Sequence, residues 1–181
     1  EYGFSYFMMS LDRSIQSLSI SRPLPPSAGI SLSFFRSGTD NILETDSDGD
    51  FINELSHFES YGMMSFGIDL GSLSAGFNIK AFFNDLYNYT GNGIGFDIGF
   101  LYTVNKNINI GVKLNNLSAS YTWDIDEQYE EDFPENYIIG LSYDNLDNLL
   151  ISYKLSMLSI IEGTLLENEV FYMKNQLGVE Y

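Results

Sequence analysis

Three charged side chains could meet in the folded chain, because one occurs in each of three successive segments of alternating sequence. They are Lys80, Asp97 and Lys113, and each falls among small or polar residues rather than among the large apolar ones. An unpaired ion in a partly dehydrated interior costs several kcal/mol, so opposite charges placed there need one another. We therefore predict an interior ionic cluster of these three residues that stabilises the fold, with a transport or binding role as the alternative.

An acidic run could bind a hard cation. Asp46, Asp48 and Asp50 alternate along the chain, and alternating carboxylates on a turn can direct oxygen ligands at one calcium ion. The register differs from that of an EF-hand, because Phe51 follows the third acid where that loop has glycine. A solvated acidic loop is the favoured interpretation. Calcium is kept as the one cofactor candidate.

No arrangement of residues in the sequence predicts catalysis. Cysteine is absent and His57 is the single histidine, so cysteine nucleophiles and histidine-rich metal centres are excluded. A Ser-His-Asp triad would have to use that one histidine. The sequence has no glycine-rich phosphate loop and no nucleophile beside a base. We therefore expect a protein that is not an enzyme.

The charged residues above belong to segments in which large apolar residues alternate with small or polar ones. Every even position of Ile94–Tyr102 is large and apolar, whereas the odd positions are Gly95, Asp97, Gly99 and Leu101. Alternation with period two predicts a β-strand with two different faces. A soluble sandwich would expose Lys, Glu and Thr rather than Gly, Ser and Asn. The composition is typical of a barrel with lipid outside and a crowded polar interior.

The alternation predicts one all-β domain over residues 1–181, an antiparallel up-and-down transmembrane β-barrel with about ten strands in this chain. The predicted strands are 2–10, 14–22, 27–36, 58–70, 72–83, 91–103, 107–115, 135–143, 148–156 and 169–181. No run of about 18 apolar residues occurs, which excludes a transmembrane helix.

The predicted connections alternate between short and long. The short ones are near 23–26, 71, 104–106 and 145–147, and the long ones are near 37–57, 84–90, 116–134 and 157–168. Each antiparallel strand reverses the chain, so alternate connections emerge on the same side. We therefore predict that the long connections lie together outside the cell, with the short turns on the other side of a bacterial outer membrane.

Acidic residues concentrate in two of the long connections. The chain has 25 Asp and Glu against 8 Lys and Arg, and its net charge of −17 makes nucleic acid a poor partner. Segments 37–57 and 116–135 contain many of these acids and no Lys or Arg. A solvated face is favoured over a specific cation or partner site.

Aromatic residues are frequent near the ends of the predicted strands. Amphipathic rings favour the headgroup boundary of a membrane, so these residues predict an interfacial girdle. Its main members are Tyr102, Tyr121, Trp123 and Tyr143. The alternative is the core of a soluble sandwich.

Several segments follow one another in an order that is known from a protein family. They are Ser-Ile-Ser-Arg-Pro at 19–23 with 28–34, Ser-Ala-Gly-Phe-Asn-Ile-Lys at 74–80, Gly-Phe-Asp-Ile-Gly-Phe-Leu-Tyr at 95–102, 110–117, 134–143 and 177–181. This series resembles the PorV/PorQ-type outer-membrane β-barrels, which are related in fold to FadL-type barrels. The resemblance implies a barrel of about fourteen strands, incomplete in this chain at both ends. It also implies a role in type IX protein secretion or surface attachment. The implied partners are outer-membrane lipid, secretion-system components and client proteins.

Two other functions stay open at this point. A FadL-like transporter would pass hydrophobic small molecules through the wall or the interior, although an interior of Gly, Ser and Asn argues mildly against an apolar channel. A soluble or self-assembling β-structural protein would bury its apolar faces against one another or against other subunits. Solubility without detergent would distinguish this last protein from a membrane barrel.

Overall fold

A computed structural model describes residues 1–125, 129–146, 149–162 and 168–180. The described residues form a single sheet of eleven β-strands. The strands are β1 (Tyr2–Met9), β2 (Arg13–Leu24), β3 (Ala28–Thr45), β4 (Phe51–Asp69), β5 (Leu73–Leu86), β6 (Tyr89–Asn105), β7 (Ile108–Trp123), β8 (Tyr129–Asp132), β9 (Glu135–Leu146), β10 (Leu149–Glu162) and β11 (Asn168–Glu180). None of the described residues forms a helix long and apolar enough to cross a membrane.

The sheet follows the chain from edge to edge. Its order is β1 to β7, then β9, β10 and β11, every pairing is antiparallel, and β8 pairs with β7 off this path. The prediction of an all-β, up-and-down, antiparallel arrangement is confirmed, and each of the predicted strands overlaps an observed one. The short β8 lies in a predicted connection and adds one strand to the count. Pairing of β1 with β11, which would close a barrel, does not occur among the described residues.

The predicted bounds of the long connections are wrong, because the strands continue into them. β3 ends at Thr45 and β4 begins at Phe51, so residues 46–50 alone join the two. The predicted connection 84–90 is reduced to the turn at Tyr87 and Asn88. Backbone hydrogen bonds between antiparallel strands need no apolar face, so the hairpins extend past the point where the hydrophobic alternation stops.

The connections do emerge alternately at the two ends of the sheet. One end holds residues 46–50 and 87–88, where long hairpins close, and we name it the hairpin end. The other holds the short connections 25–27, 70–72 and 106–107, and we name it the turn end. The predicted connections at 145–147 and 157–168 fall partly outside the described residues.

The two faces of the sheet differ in burial. On β6, Gly91, Gly95 and Asp97 are buried, whereas every even-numbered residue from Ile94 to Tyr102 is exposed. Residues paired across an antiparallel ladder point to the same face, so the register extends this assignment over the sheet. We name the face of Asp97 the inner face and the opposite one the outer face.

The register places like with like on each face. On the outer face the pairs join Phe66 to Phe77, Phe77 to Ile98 and Ile98 to Leu114. On the inner face they join Ser31 to Ser65, Ser65 to Asn78 and Asn78 to Asp97. A slip of one residue would exchange the two faces, so this separation fixes the register.

Candidate functional site

The inner face holds a polar network centred on Asp97, which is 3% exposed. The Nζ of Lys80 lies 2.7 Å from one carboxylate oxygen of Asp97. The Nδ2 of Asn78 donates to the other oxygen at 2.9 Å. Lys80 and Asn78 are both even-numbered residues of β5, so the strand directs them to one face beside β6. The buried charge is therefore paired and also hydrogen-bonded, as such a group requires.

A local irregularity of β7 completes this network. β7 contains two successive bulges, and at each of them three residues of β7 lie opposite two residues of β6. The pairs that flank the bulges are Ile98 with Leu114, Phe96 with Leu117 and Ile94 with Ser120. Asn116 and Ser118 take up the extra length with positive φ angles of 58° and 48°. The freed N–H of Asn116 donates to Asp97 at 3.1 Å, and the Asn116 Oδ1 accepts from Lys80 at 3.2 Å.

Lys113 lies outside this network, although it is on the same face. It pairs with Gly99, one row closer to the turn end than Asp97, and its side chain is exposed. The one ion pair among the described residues joins Lys80 to Asp97. The structure thus brings together two of the three predicted residues. Lys113 does not contribute because Asp97 already has Lys80 as its counter-ion, and Lys113 lies in the next row at a position exposed to solvent.

A cluster of aromatic rings fills the inner face toward the hairpin end. It consists of Tyr61, Phe82, Tyr121, Trp123 and Phe133, with Ala119 buried beside them. Phe133 stacks on Phe82 and lies against Tyr121, with ring centroids 4.7 Å apart in both pairs. Such pairs stabilise a structure beyond the area that they bury.

Glycines of β6 leave space for the rings, and carboxylates accept hydrogen bonds from the polar atoms of the rings. A Cβ added at Gly91 would lie 3.1 Å from the Trp123 ring. The Tyr121 hydroxyl donates to Glu59 at 3.0 Å, and the Trp123 Nε1 donates to Glu131 at 2.9 Å. Buried Tyr and Trp generally need such partners.

The structure corrects the predicted aromatic girdle, because two of its members belong to this cluster. Tyr121 and Trp123 are 5% and 9% exposed on the inner face, so they do not belong to an outward-facing girdle. They point inward because they pair with Gly93 and Gly91, which share the face of Asp97. Tyr102 and Tyr143 lie on the outer face toward the turn end, where they pair with Leu73 and Ile108.

The three aspartates of the predicted calcium loop do not converge on one centre. One carboxylate oxygen of Asp46 accepts the backbone N–H groups of Asp48 and Asp50, both at 2.9 Å, and thereby closes the turn between β3 and β4. Gly49 supports this turn with a φ of 90°. In the part of the chain that the structure describes, no group of three or more His, Cys, Asp or Glu residues could hold a metal ion.

Several residues of the network and the cluster were not predicted as site residues. Asn78 was within reach of sequence reasoning, because it shares the small polar face of its strand with Lys80. Asn116 was not, because its place depends on two bulges that the alternation of residues does not reveal. Phe133 reaches the cluster through the unpredicted strand β8, after which the Phe133 N–H donates to Ala119 at 2.8 Å.

Two solved structures of OmpT, an outer-membrane protein of Vibrio cholerae, are similar in fold to this chain. The first, of outer-membrane expressed OmpT, has a TM-score of 0.62 and 10% identity, and it covers 93% of this chain and 55% of that chain. The second, of OmpT folded in vitro, has a TM-score of 0.61 and 8% identity, and it covers 99% of this chain and 62% of that chain.

This chain therefore spans a little over half the length of the OmpT chains that it matches. No protein-family model matches the chain, and no curated protein matches it. The resemblance to the PorV/PorQ family accordingly stays a sequence-based hypothesis. The described residues form an all-β, antiparallel, up-and-down sheet that resembles part of the OmpT fold.

Proposed function

We propose that this chain forms part of a non-enzymatic β-barrel in a bacterial outer membrane, with its outer face in contact with lipid. The main support for the proposal is the exposed apolar surface of the outer face. Phe77, Phe96 and Phe100 lie on it and are between 41% and 49% exposed, and their apolar neighbours continue onto adjacent strands. Soluble monomers rarely expose a contiguous apolar surface of such extent, whereas lipid-facing strands require one.

The inner face supports the same proposal. Asp97 would face the bilayer if the sheet were turned over, and a charge at that depth is penalised by several kcal/mol. On the inner face it has Lys80 as its counter-ion instead. The fold similarity to OmpT is a further support.

Folding into a bilayer tests the proposal directly. The unfolded chain is diluted into phosphatidylcholine vesicles, and we expect it to float with them in a density gradient and to migrate differently on gels before and after heating. A chain that stays soluble and monodisperse without detergent would contradict the proposal. That outcome would favour the alternative of a soluble or self-assembling β-structural protein.

We also propose an orientation for the barrel, in which the hairpin end lies outside the cell. Asp46, Asp48 and Asp50 are exposed at the hairpin end, where they would meet the medium outside the cell. The chain has no cysteine, so single cysteines can report the two ends. On intact cells, a membrane-impermeant maleimide should label Asp48→Cys and spare Ser72→Cys at the turn end. The reverse pattern would invert the orientation.

The finer function that we propose is the docking of proteins during type IX secretion or surface attachment. The sequence resemblance to PorV/PorQ supports it, as do the acidic hairpins, whose exposed carboxylates suit a basic or cation-bridged partner. The test compares surface proteins of cells that carry the wild type, a deletion, or the triple variant Asp46→Asn, Asp48→Asn, Asp50→Asn. We expect the deletion to deplete them and the triple variant to deplete them partly. An unchanged surface in the deletion strain would contradict this role.

A FadL-like transport of hydrophobic molecules receives less support. The inner-face row of Ser31, Ser65, Asn78 and Asp97 is polar from strand to strand, and an apolar ligand would leave these groups without water. Saturable binding of a long-chain fatty acid by the folded protein would revive this alternative.

A further inference from the structure

The outer face carries an unpaired arginine where its apolar surface ends. Arg36 pairs with Ser60 across the ladder, and the next row toward the turn end pairs Phe34 with Gly62. Although the chain has a net charge of −17, Arg36 has no carboxylate partner among the described residues. The one ion pair found there joins Lys80 to Asp97. The Arg36 guanidinium instead lies 3.9 Å from the centre of the Phe58 ring. A ring in this position orients the cation and leaves its N–H donors available.

The place of Phe58 is built into the sheet. Phe58 pairs with Gly38, and a Cβ at position 38 would lie 2.3 Å from the Cδ1 of the ring. Only a glycine therefore lets the ring lie across β3 beside Arg36. The arrangement holds the guanidinium at one height on the outer face.

A cavity of about 360 Å³ opens beside this arginine. Its polar wall includes Ser60, Thr90 and Asn92, which can donate hydrogen bonds. Its apolar wall includes Phe34 and Phe83. Asp85 also lines the cavity and is the one carboxylate there. A cation with neighbouring donors and aromatic walls fits an anionic group attached to an apolar body.

The next row provides space for that apolar body. Gly62 pairs with Ala81, both on the outer face, between the larger Phe34 and Ile94. A Cβ at Gly62 would have no atom within 4 Å. The two small residues thus leave a slot on the apolar surface directly below the cavity.

We propose that this site binds the phosphate of an anionic membrane lipid, one without a cationic headgroup, with Arg36 on the phosphate and an acyl chain over Gly62 and Ala81. The inference rests on the proposed function, because it needs the outer face to meet lipid. Arginine matches the oxygens of a phosphate in a forked geometry, and a basic side chain at headgroup height favours anionic lipids. Asp85 opposes the phosphate, so it limits the affinity rather than creating it.

Native mass spectrometry of the folded protein can measure this preference in mixed micelles of phosphatidylglycerol and phosphatidylcholine. We expect the wild type to retain phosphatidylglycerol, and Arg36→Gln to reduce its retention about five- to tenfold. Arg22→Gln is the matched control, because Arg22 is an exposed outer-face arginine near the turn end. Asp85→Asn should raise retention, and Gly62→Leu should lower retention of both lipids by filling the slot.

The outcomes separate this inference from the proposed function. A wild type that fails to enter vesicles overturns both. A wild type that enters them but retains the two lipids equally overturns the lipid site alone, as does equal loss in the Arg36 and Arg22 variants. Displacement of the lipid by glycerol phosphate at equal concentration would show that the acyl slot contributes nothing, which also overturns it. Heat-dependent gel mobility confirms that each variant has folded.

Discussion

The two faces of β6 differ in what surrounds neighbouring side chains. Asp97 on the inner face meets Lys80, Asn78 and Asn116, whereas Phe96 beside it on the outer face is 41% exposed. The inner position needs particular partners at particular distances. The outer position needs only an apolar side chain. Substitutions that remove such a partner on the inner face should therefore lower the free energy of unfolding. Matched substitutions that leave these partners in place should change it much less.

The largest effect is expected when the buried ion pair loses its cation. Lys80→Met leaves Asp97 charged, buried and without its counter-ion, and it should lower the free energy of unfolding by about 3–5 kcal/mol. Lys113→Met, on the same face but exposed, should change it by no more than about 0.5 kcal/mol. Urea titration of the protein folded in vesicles measures both. Equal losses would show that the pair with Asp97 has no special role.

A smaller effect is expected when a side chain is forced into the aromatic cluster. A Cβ at Gly95 would lie 2.7 Å from the Cβ of Ala119 and 3.0 Å from Phe82. At Gly99, on the same face, the nearest atom would be 3.8 Å away. Gly95→Val should therefore destabilise the protein by about 1–3 kcal/mol, and Gly99→Val should be tolerated. Thermal unfolding followed by gel mobility ranks the two, and the opposite ranking would contradict the packing described here.

The loss of one hydrogen bond to the cluster should cost about 1 kcal/mol. Glu131→Ala removes the acceptor of the Trp123 Nε1, and the chain has a single tryptophan, so its fluorescence reports this site alone. We expect a shift of the emission maximum and faster quenching by acrylamide. Glu130→Ala is the control, because Glu130 pairs with Thr122 on the opposite face of the hairpin, where the substitution removes a hydrogen bond from Ser120 but none from the tryptophan. A shift of the same size in the control would contradict the assignment of faces.

The smallest effect concerns the exposed turn between β3 and β4. Asp46→Ala removes the acceptor of two backbone N–H groups and should cost about 0.5–1 kcal/mol, whereas Asp48→Ala should cost less. Calcium at millimolar concentration should not change the unfolding midpoint of the wild type. A calcium-dependent rise that Asp46→Ala abolishes would restore the predicted metal site.

The sequence predicts those features of the fold that depend on alternation alone. The even and odd residues of 94–102 separate in the structure because a strand has a period of two and the pattern is unbroken there. The ends of the strands were less predictable. Residues 37–45 and 51–57 are polar enough to suggest a loop, yet β3 and β4 extend through all of them by backbone pairing.

The candidate site was predictable only where the strands are regular. Lys80 and Asp97 meet because neither β5 nor the facing part of β6 departs from its register. Asn116 reaches them through bulges in β7. The sequence alone predicts the wrong face for Tyr121 and Trp123, because nearness to a strand end does not specify the direction of a side chain. The sequence alone does not indicate the site at Arg36, because that site depends on the residues that pair with β3 across the ladder.

If the outer face meets lipid and the inner face does not, spin labels on the two faces of β6 should have different surroundings. A label at Phe100 replaces an exposed ring, and one at Gly99 has room because no atom would lie within 3.8 Å of its Cβ. In vesicles we expect oxygen, which partitions into lipid, to relax the label at position 100 more strongly than the label at 99. We expect a water-soluble nickel complex to show the reverse. Equal accessibility at both positions would show that the two faces do not differ in their contact with lipid.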